Sequence, residues 1–367
     1  MGRRTDVFVV GGGPAGLAAA IAARQRGFDV IVADGAEPPI DKACGEGLMP
    51  DTLRALQDLG VTIHPAEGFA FRGVRWVGES ARVDASFPFG QGVGVRRPVL
   101  HQRMIEQAQR LGITLLWKAS VAGLSPDGVL VGGKTIAARW VVGADGIRSR
   151  VRRWCGIEAP ALPRPRYAFR RHYRVAPWTD CMEIHWGRRS QAYVTPVGRQ
   201  DTCVVLISRD PGVRLASISA EFPELSERLA LAEASPESGA VTLACGFERV
   251  YRDRVALIGD ASGSVDAITG EGLCLSFHQA TALADALESG NLSEYQVAHR
   301  RLARRPTLMG RLLLLLDSQP RLRRRTLRIL AAHPDLFARL LAVHIGATSP
   351  RHLAETGALL GWRFVAA

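Results

Sequence analysis

The chain has 367 residues, of which 47% are hydrophobic and 22% are charged, so it is long and apolar enough to build a sizeable folded core. Its formal net charge of +12 permits attraction to nucleic acid, anionic lipid or acidic substrates without selecting one of them. No stretch approaches the roughly 20 apolar residues of a membrane span, and the six cysteines form no Cys-x-x-Cys pair, so we expect a cytoplasmic protein without a metal site.

The first three predicted elements form one crossover unit. The apolar run over residues 6–10 predicts a strand, the Ala-rich residues 14–26 predict a helix, and the apolar run over residues 28–33 predicts a second strand. Strand, glycine turn, helix and strand in this order make up the unit from which parallel sheets are built. The amino-terminal fold is therefore predicted to be α/β.

A Gly-x-Gly-x-x-Gly motif fills the turn between the first strand and the helix, and an aspartate ends the second strand. The glycines let the backbone approach a pyrophosphate, whose charge the helix N-terminus stabilises, and the aspartate can accept hydrogen bonds from a ribose. This pattern predicts dinucleotide binding. The predicted cofactor contacts in this segment are Gly11, Gly13, Pro14, Ala15, Gly16 and Asp34.

The later elements change character along the chain. Residues 51–59 and 98–111 predict helices, and apolar runs predict strands at 113–117, 128–131 and 140–142. From 162 to 250 the runs are β-rich and predict an antiparallel sheet. Helical patterns return after Gly272, and we expect prolines to divide them into short helices. These prolines are Pro306, Pro320, Pro334 and Pro350.

Three further segments carry motifs that belong together. Residues 97–104 begin Arg-Pro-Val-Leu, residues 142–149 contain Ala-Asp-Gly, and residues 256–263 contain Ile-Gly-Asp-Ala and continue to Thr-Gly-Glu-Gly at 269–272. In order and spacing these segments resemble the FAD-dependent oxidoreductases of the aromatic hydroxylase and geranylgeranyl reductase superfamily. The resemblance covers residues 5–290. It implies a Rossmann-like FAD-binding domain of the glutathione-reductase type, an inserted antiparallel β-sheet domain and a helical C-terminus.

The resemblance also implies roles for single residues. Arg97 matches an arginine that reaches the FAD pyrophosphate, Asp145 matches an aspartate between the flavin and nicotinamide sites, and Asp260 matches one that binds the ribitol. The helix that follows Gly272 can stabilise negative charge on the reduced flavin ring through its N-terminus. The implied cofactor contacts are Arg97, Asp145, Gly259, Asp260, Gly270, Gly272 and Leu273.

The implied domains are discontinuous along the chain. Residues 1–70, 95–160 and 245–300 would form the FAD-binding domain, residues 71–94 and 161–244 the substrate-binding sheet domain, and residues 301–367 a helical region. Because the chain has a single dinucleotide motif, a nicotinamide cofactor would have no Rossmann domain of its own. The resemblance implies that NAD(P)H acts as a reductant that docks transiently on the flavin domain.

The segment Cys44-Gly-Glu-Gly-Leu48 resembles one that lies beside the flavin ring in geranylgeranyl reductases. The resemblance makes Cys44 and Gly45 cofactor contacts. For Cys44, a packing role and a direct catalytic role stay equally open. The run at 269–272 also suits the reductase branch, whereas the aromatic and proline motif of that branch is absent from the sequence.

The leading expectation is a monooxygenase that uses NAD(P)H and O2, forms a flavin hydroperoxide and oxidises an aromatic or polyketide-like molecule. The alternative is reduction of double bonds in an isoprenoid or other lipid. In both cases the cofactor performs the chemistry, and the protein binds it and orients the substrate. The candidate substrate contacts on the predicted sheet are Tyr167, Arg171, Tyr173, His185 and Tyr193.

Most of the excess positive charge lies near the C-terminus. Ten arginines and a single acid, Asp317, fall between Arg300 and Arg328. We expect a solvated face, with peripheral contact to anionic lipid as the alternative, because the leucines at 312–316 permit an interfacial helix. A nucleic-acid surface is disfavoured because no aromatic residues are interleaved with the arginines.

Overall fold

The computed structural model describes residues 4–157, 164–349, 352, 355–359 and 361. The α-helices of this part are α1 (Pro14–Gln25), α2 (Pro50–Asp58), α3 (Arg97–Arg110), α4 (Arg150–Trp154), α5 (Pro223–Leu229), α6 (Gly272–Ser289), α7 (Leu292–Ser318), α8 (Pro320–Ala332) and α9 (Pro334–His344). The strands are β1 (Arg4–Val10), β2 (Val30–Ala33), β3 (Gly47–Leu48), β4 (Gly68–Phe71), β5 (Gly73–Val77), β6 (Arg82–Ser86), β7 (Gly92–Val95), β8 (Thr114–Leu116), β9 (Val121–Ser125), β10 (Gly128–Val131), β11 (Lys134–Gly143), β12 (Arg166–Tyr173), β13 (Cys181–Trp186), β14 (Ser190–Pro196), β15 (Thr202–Ser208), β16 (Ser238–Thr242), β17 (Cys245–Gly246), β18 (Tyr251–Arg252), β19 (Val255–Leu257) and β20 (Gly263–Ser264).

The first sheet has the strand order β18, β19, β11, β1, β2, β8, and β9 and β10 extend from β11 as an antiparallel meander. Its central strand β1 pairs in parallel with β2 on one side and β11 on the other. A central parallel strand is covered on both faces, which explains why residues 7–10 form a continuous apolar run and are all buried. The α/β prediction is confirmed.

Layers of different composition cover the two faces of this sheet. Helix α1 packs beside α3 and α6 on one face, and its many alanines allow close approach because they add little bulk. On the other face, Val151 of α4 joins apolar side chains of β9 and β10. The parallel strands of this sheet all have their carboxyl ends on the same side, and the glycine turn after β1 lies on that side.

The second sheet has the order β16, β12, β15, β14, β13, β5, β6. The predicted antiparallel pairing holds for β12 to β16, whereas the pair β13 and β5 is parallel. One face packs against α5 and a short 3₁₀ helix, Leu215–Ala220. The opposite face packs against α7, α8 and α9. The domain limits expected from the sequence stay a prediction.

The prediction that Pro306 interrupts the helix is wrong, because α7 runs for 27 residues through this proline. A proline inside a helix removes one hydrogen bond and crowds the preceding turn. Tertiary packing offsets that cost here, since Pro306, Met309 and Gly310 are all buried against neighbouring elements. Pro320 and Pro334 begin α8 and α9, so those two boundaries are confirmed. Pro350 lies outside the described residues.

Buried polar contacts attach the C-terminal helices to the rest of the molecule. Arg305 of α7 contacts Glu271, the residue before α6, at 2.9 Å. Burial raises the pKa of Glu271, so the neighbouring guanidinium is needed to stabilise its charge. Arg323 of α8 donates to the carbonyl of Gly187 at 2.6 Å. Within the described part of the chain, none of the helices has both the length and the apolar character needed to span a bilayer.

Candidate functional site

A continuous cavity of about 860 Å³ begins at the carboxyl end of β1 and ends between the second sheet and the C-terminal helices. Its first part is formed by backbone and polar side chains of the first sheet and its loops. Its second part is formed by apolar side chains. Representative lining residues of the first part are Gly11, Gly13, Asp34, Cys44, Arg97, Asp145, Asp260 and Gly272. Those of the second part are Val74, Trp76, Met182, Ile184, Trp186, Val205, Met309, Leu313 and Phe337.

The glycine turn opens directly onto the first part of the cavity. A side-chain carbon built on Gly13 would meet no atom within 4 Å, although the residue stands at the cavity wall. A carbon built on Gly16 would lie 1.8 Å from the carbonyl oxygen of Gly11, so the turn and α1 can pack only around a glycine there. The space above Gly13 is what a pyrophosphate at a helix N-terminus requires.

Two side chains hold this turn in place. The carboxylate of Asp34 accepts from the backbone N–H of Gly12 at 2.7 Å and from that of Ala36 at 2.8 Å. His101 accepts from the N–H of Ile40 through Nδ1 at 3.2 Å, so its Nε2 carries the proton and donates to the carbonyl of Gly12 at 2.8 Å. Burial lowers the pKa of His101, which favours this neutral form. His101 is a positioning residue that the sequence prediction did not include.

Arg97 supplies a buried donor without a protein acceptor. Its side chain lines the cavity, and within the described structure its Nε is buried and makes no hydrogen bond. Its Nη1 lies 3.8 Å from Sγ of Cys44. A buried guanidinium nitrogen without an acceptor is costly unless a ligand supplies one. The position therefore fits a phosphate oxygen of a bound dinucleotide.

The opposite side of this part is formed by Asp260 and the N-terminus of α6. Asp260 is partly exposed, and its carboxylate contacts the Lys42 ammonium at 3.2 Å. Gly272, the first residue of the 18-residue helix α6, has no atom within 4 Å of a built side-chain carbon. Gly270, Gly272 and Leu273 line the cavity, so partial positive charge from the helix end faces it.

Asp145 lies in the cavity wall, but its carboxylate is engaged within the protein. It accepts from Ser149 Oγ, and its Oδ2 accepts from the N–H groups of Arg150 at 2.6 Å and Val151 at 3.1 Å. These donors belong to the first turn of α4 and the residue before it. The side chain thus caps α4, while Gly146 beside it shapes the cavity.

The Cys44 segment crosses between the two parts of the cavity. Cys44, Gly45, Glu46 and Gly47 all line the cavity. The Cys44 sulfur accepts from the N–H of Glu46 at 3.4 Å. The thiol thus lies where the cofactor part of the cavity meets the apolar part.

Glu46 forms a fully buried ion network that the sequence prediction missed. Its Oε1 accepts from the N–H of Arg97 at 2.9 Å and from Arg170 Nη1 at 3.2 Å, and its Oε2 lies 2.7 Å from His172 Nε2. Arg170 also pairs with Asp41 at 2.7 Å, which lowers the pKa of that carboxyl. The backbone of Glu46 has a φ of 58°, an unfavourable value for a residue other than glycine, and the contacts of its side chain offset this cost.

The side chains of Glu46, His172 and Cys203 come close enough to suggest a metal centre, with candidate ligand atoms within 4.8 Å of one another. The network already holds its own cation, the guanidinium of Arg170. Burial raises the pKa of the Cys203 thiol well above its usual value, which keeps it protonated. We assign these residues to an ion network that joins β12 of the second sheet to the Cys44 segment and the start of α3.

Four of the five candidate substrate contacts lie on the wrong face of the second sheet. Tyr167 and Tyr173 pack on the α5 side, Arg171 lies 3.9 Å from Glu237, and His185 packs against Phe222. Because side chains alternate along a strand, the cavity face of β12 carries Ala168 instead. Tyr193 does line the cavity, and its hydroxyl donates to the carbonyl of Ile268 at 2.8 Å. The correction follows from strand parity, which composition alone does not fix.

The C-terminal helices form the far wall of the cavity, which the sequence prediction did not anticipate. Met309, Leu312, Leu313 and Leu316 of α7 line it, together with residues of α8 and α9. The leucine run at 312–316 was the available signal. Its helical spacing places some leucines toward the cavity and others outward.

A buried histidine behind the Asp260 segment leads to a pH prediction. His299 of α7 contacts Ser262 Oγ at 2.9 Å, and burial lowers its pKa to about 4. Because the folded state binds this proton less tightly than the unfolded state, stability falls as the pH decreases from about 6.5 to about 4, by about 3 kcal/mol for this group. Denaturant midpoints measured across this range should fall more steeply for the natural chain than for His299→Gln. Equal slopes would contradict the assignment.

Known proteins resemble this chain in sequence and in structure. A profile of the FAD binding domain matches residues 4–290. A menaquinone reductase of Mycolicibacterium smegmatis is 28% identical over 333 residues, which cover 81% of this chain and 80% of the relative. Digeranylgeranylglycerophospholipid reductase 1 of Methanopyrus kandleri is 31% identical over 299 residues, covering 73% of this chain and 76% of the relative. A flavoprotein/dehydrogenase of Cytophaga hutchinsonii has a similar structure, with a TM-score of 0.81, 18% identity and 95% of each chain covered.

Proposed function

The chain belongs to the FAD binding domain family, and from this premise we propose that it reduces carbon–carbon double bonds in the isoprenoid chain of a lipid. That it is an FAD-dependent oxidoreductase follows from the family and agrees with the sequence prediction. The proposal departs from the leading sequence-based expectation, a monooxygenase, and adopts the alternative. The observation that carries it is the apolar part of the cavity.

This apolar part suits a long hydrocarbon chain better than a polar aromatic ring. Its walls are aliphatic and tryptophan side chains from the second sheet and α7. Tyr193 is the one candidate substrate contact that lines the cavity, and its hydroxyl already donates to a backbone carbonyl. Burial also raises the pKa of this hydroxyl. A site that discriminates between substrates by hydrogen bonding needs unpaired polar groups, whereas an apolar channel selects substrates by their shape and length. The two reductases named above act, by their names, on menaquinone and on a digeranylgeranyl lipid, and both substrates carry isoprenoid chains.

The residues of the first cavity part fit FAD. Gly13 and Arg97 would face the pyrophosphate, Asp260 would bind the ribitol hydroxyls, and the N-terminus of α6 would face the flavin ring. FAD held by these residues and reduced by NAD(P)H would supply the hydride for one carbon of the double bond. The chain supplies the orientation of the substrate, excludes water through the apolar walls, and provides a proton for the second carbon. NAD(P)H is the proposed reductant, which docks transiently.

Cys44 is the proposed source of that proton. Replacing it by alanine is expected to lower turnover of an isoprenoid lipid by about 100-fold or more, the usual contribution of a positioned general acid. The FAD content and the rate of flavin reduction should change much less than turnover, because alanine keeps the backbone of the segment that lines the cavity. Cys245→Ala removes another half-buried thiol outside the cavity lining and serves as the control. Equal turnover of the natural enzyme and Cys44→Ala would assign Cys44 to packing.

An anaerobic single-turnover experiment tests the function. The FAD-loaded protein is reduced with dithionite and mixed without O2 with menaquinone or a digeranylgeranyl lipid in detergent. We expect oxidation of the flavin, followed by absorbance, and a lipid product that has gained two hydrogen atoms in its isoprenoid chain. Fragmentation in the mass spectrometer locates them, because reduction of the quinone ring of menaquinone adds the same mass. Oxidation of the flavin only on addition of O2, with an oxygen atom in the product of an aromatic substrate, would favour the monooxygenase instead.

A further inference from the structure

The outward side of α7 combines leucines with arginines. Leu308, Leu312 and Leu315 are 41%, 38% and 47% exposed, and Arg304 and Arg311 are exposed beside them. At 3.6 residues per turn, these five positions fall on one side of the helix. We call them the outer stripe of α7. Large apolar side chains clustered on an outer helix face mark a surface that contacts another apolar phase.

Among the residues that the structure describes, the arginines of the stripe have no local counter-charge. Within the described part of the chain, no carboxylate lies within 4.0 Å of Arg304 or Arg311. Arg305, by contrast, turns inward and pairs with Glu271. The neighbouring helix α8 adds exposed Arg321 and Arg328, which also have no carboxylate within that distance among the described residues. The stripe is therefore complementary to an anionic surface.

The outer stripe is continuous with the mouth of the cavity. Leu312 and Leu315 are partly exposed and also line the cavity, so the cavity opens at the stripe. Met309 and Leu313 continue the lining inward and are buried. An apolar molecule that enters at the stripe thus meets leucine and methionine side chains from the surface inward.

We propose that the outer stripe of α7 docks on the surface of an anionic lipid bilayer. Leu308, Leu312 and Leu315 insert at the boundary between headgroups and acyl chains, while Arg304 and Arg311 contact lipid phosphates. A bilayer is favoured over nucleic acid because nucleic acid offers no apolar phase for the leucines, and the stripe has no aromatic side chain on which a base could stack. Docking in this orientation lets a lipid enter the cavity directly from the bilayer.

Co-sedimentation with vesicles tests the proposal on the full-length, FAD-loaded chain. We expect pelleting with an equal mixture of phosphatidylcholine and phosphatidylglycerol and little pelleting with phosphatidylcholine alone. The pair Arg304→Gln and Arg311→Gln should weaken partitioning about 30-fold, since each basic residue near the surface contributes about 1 kcal/mol. The pair Leu308→Ser and Leu315→Ser should weaken it about tenfold, because apolar burial at the interface is lost.

Matched controls separate the stripe from general charge and hydrophobicity. Lys134→Gln with Arg199→Gln removes two exposed charges at strand turns, and Leu231→Ser with Leu359→Ser removes two apolar side chains outside α7, which are 101% and 42% exposed. Both control pairs should bind vesicles like the natural chain, and all variants should keep its thermal midpoint.

Three results would overturn the proposal. The first is a natural chain that does not pellet with the mixed vesicles. The second is control pairs that lose as much binding as the stripe variants. The third is binding that depends on the arginines but not on the leucines, which would indicate a general polyanion surface such as one for nucleic acid. The assay contains no substrate, so its result is independent of whether the reductase proposal stands.

Discussion

Replacing Gly13 by valine is expected to lower FAD affinity by at least about 100-fold, roughly 2.7 kcal/mol, while the apoprotein keeps its fold. Gly13 has φ −71° and ψ 176°, values that any residue adopts, and a Cβ atom there meets no protein atom within 4 Å. The valine would instead occupy the space of the pyrophosphate. The apoprotein should lose about 1 kcal/mol of stability, because valine is a poorer N-cap residue for α1 than glycine. FAD content after purification, a titration of the apoprotein with FAD and the apoprotein's thermal midpoint measure the two effects separately.

Gly16→Val is the matched control for this experiment. Its side chain would overlap the carbonyl oxygen of Gly11, which belongs to the backbone and cannot move aside. We expect this variant to lose the apoprotein fold together with FAD binding. A Gly13→Val protein that binds FAD like the natural chain would show that the cofactor does not lie over the turn.

Replacing Glu46 by glutamine is expected to lower the free energy of unfolding by about 3 to 5 kcal/mol, the cost of breaking a buried ion network. Glutamine has the same size and keeps the backbone unchanged. Its amide nitrogen would face either Arg170, which is a donor, or Nε2 of His172. That Nε2 carries the proton of His172, because the donor Arg96 Nη2 faces Nδ1 at 3.5 Å. The denaturant midpoint measures this loss, and we expect FAD to bind less tightly because the N–H of Arg97 loses its anionic acceptor.

Glu106→Gln is a chemically identical control on the surface. Glu106 pairs with Arg103 across one helical turn, a contact that contributes less than about 1 kcal/mol when solvent-exposed. If Glu46→Gln costs no more than Glu106→Gln, the network does not hold β12 against the Cys44 segment.

The cofactor half of the site could be predicted from sequence because its signals are local. The turn from Gly11 to Gly16 combines strand, turn and helix within a few residues, and backbone geometry there restricts the choice of amino acid. The apolar run of β1 likewise follows from its central place in a parallel sheet. Such patterns carry their structural meaning in neighbouring positions.

The substrate half depends on long-range contacts and could not be predicted in the same way. On β12, an error of one residue in predicting which side chains face the cavity places Tyr167 there, whereas the structure has Ala168. Glu46 gains its role only when Arg170 and His172 arrive from a strand more than 120 residues away along the chain. Pro306 stays helical because it is buried against distant elements, and the helix propensity of a residue does not include such packing.

The order of strands in the first sheet has a consequence for synthesis of the protein on the ribosome. Strand β11 pairs with β19, and α1 packs against α6, so the N-terminal glycine turn faces a partner that is translated more than 240 residues later. A nascent chain that has emerged only as far as β11 presents a glycine turn without Asp260 or the N-terminus of α6. Cofactor capture therefore belongs to the last stage of translation or follows release, and until then the long-range pairing must be completed without help from bound FAD.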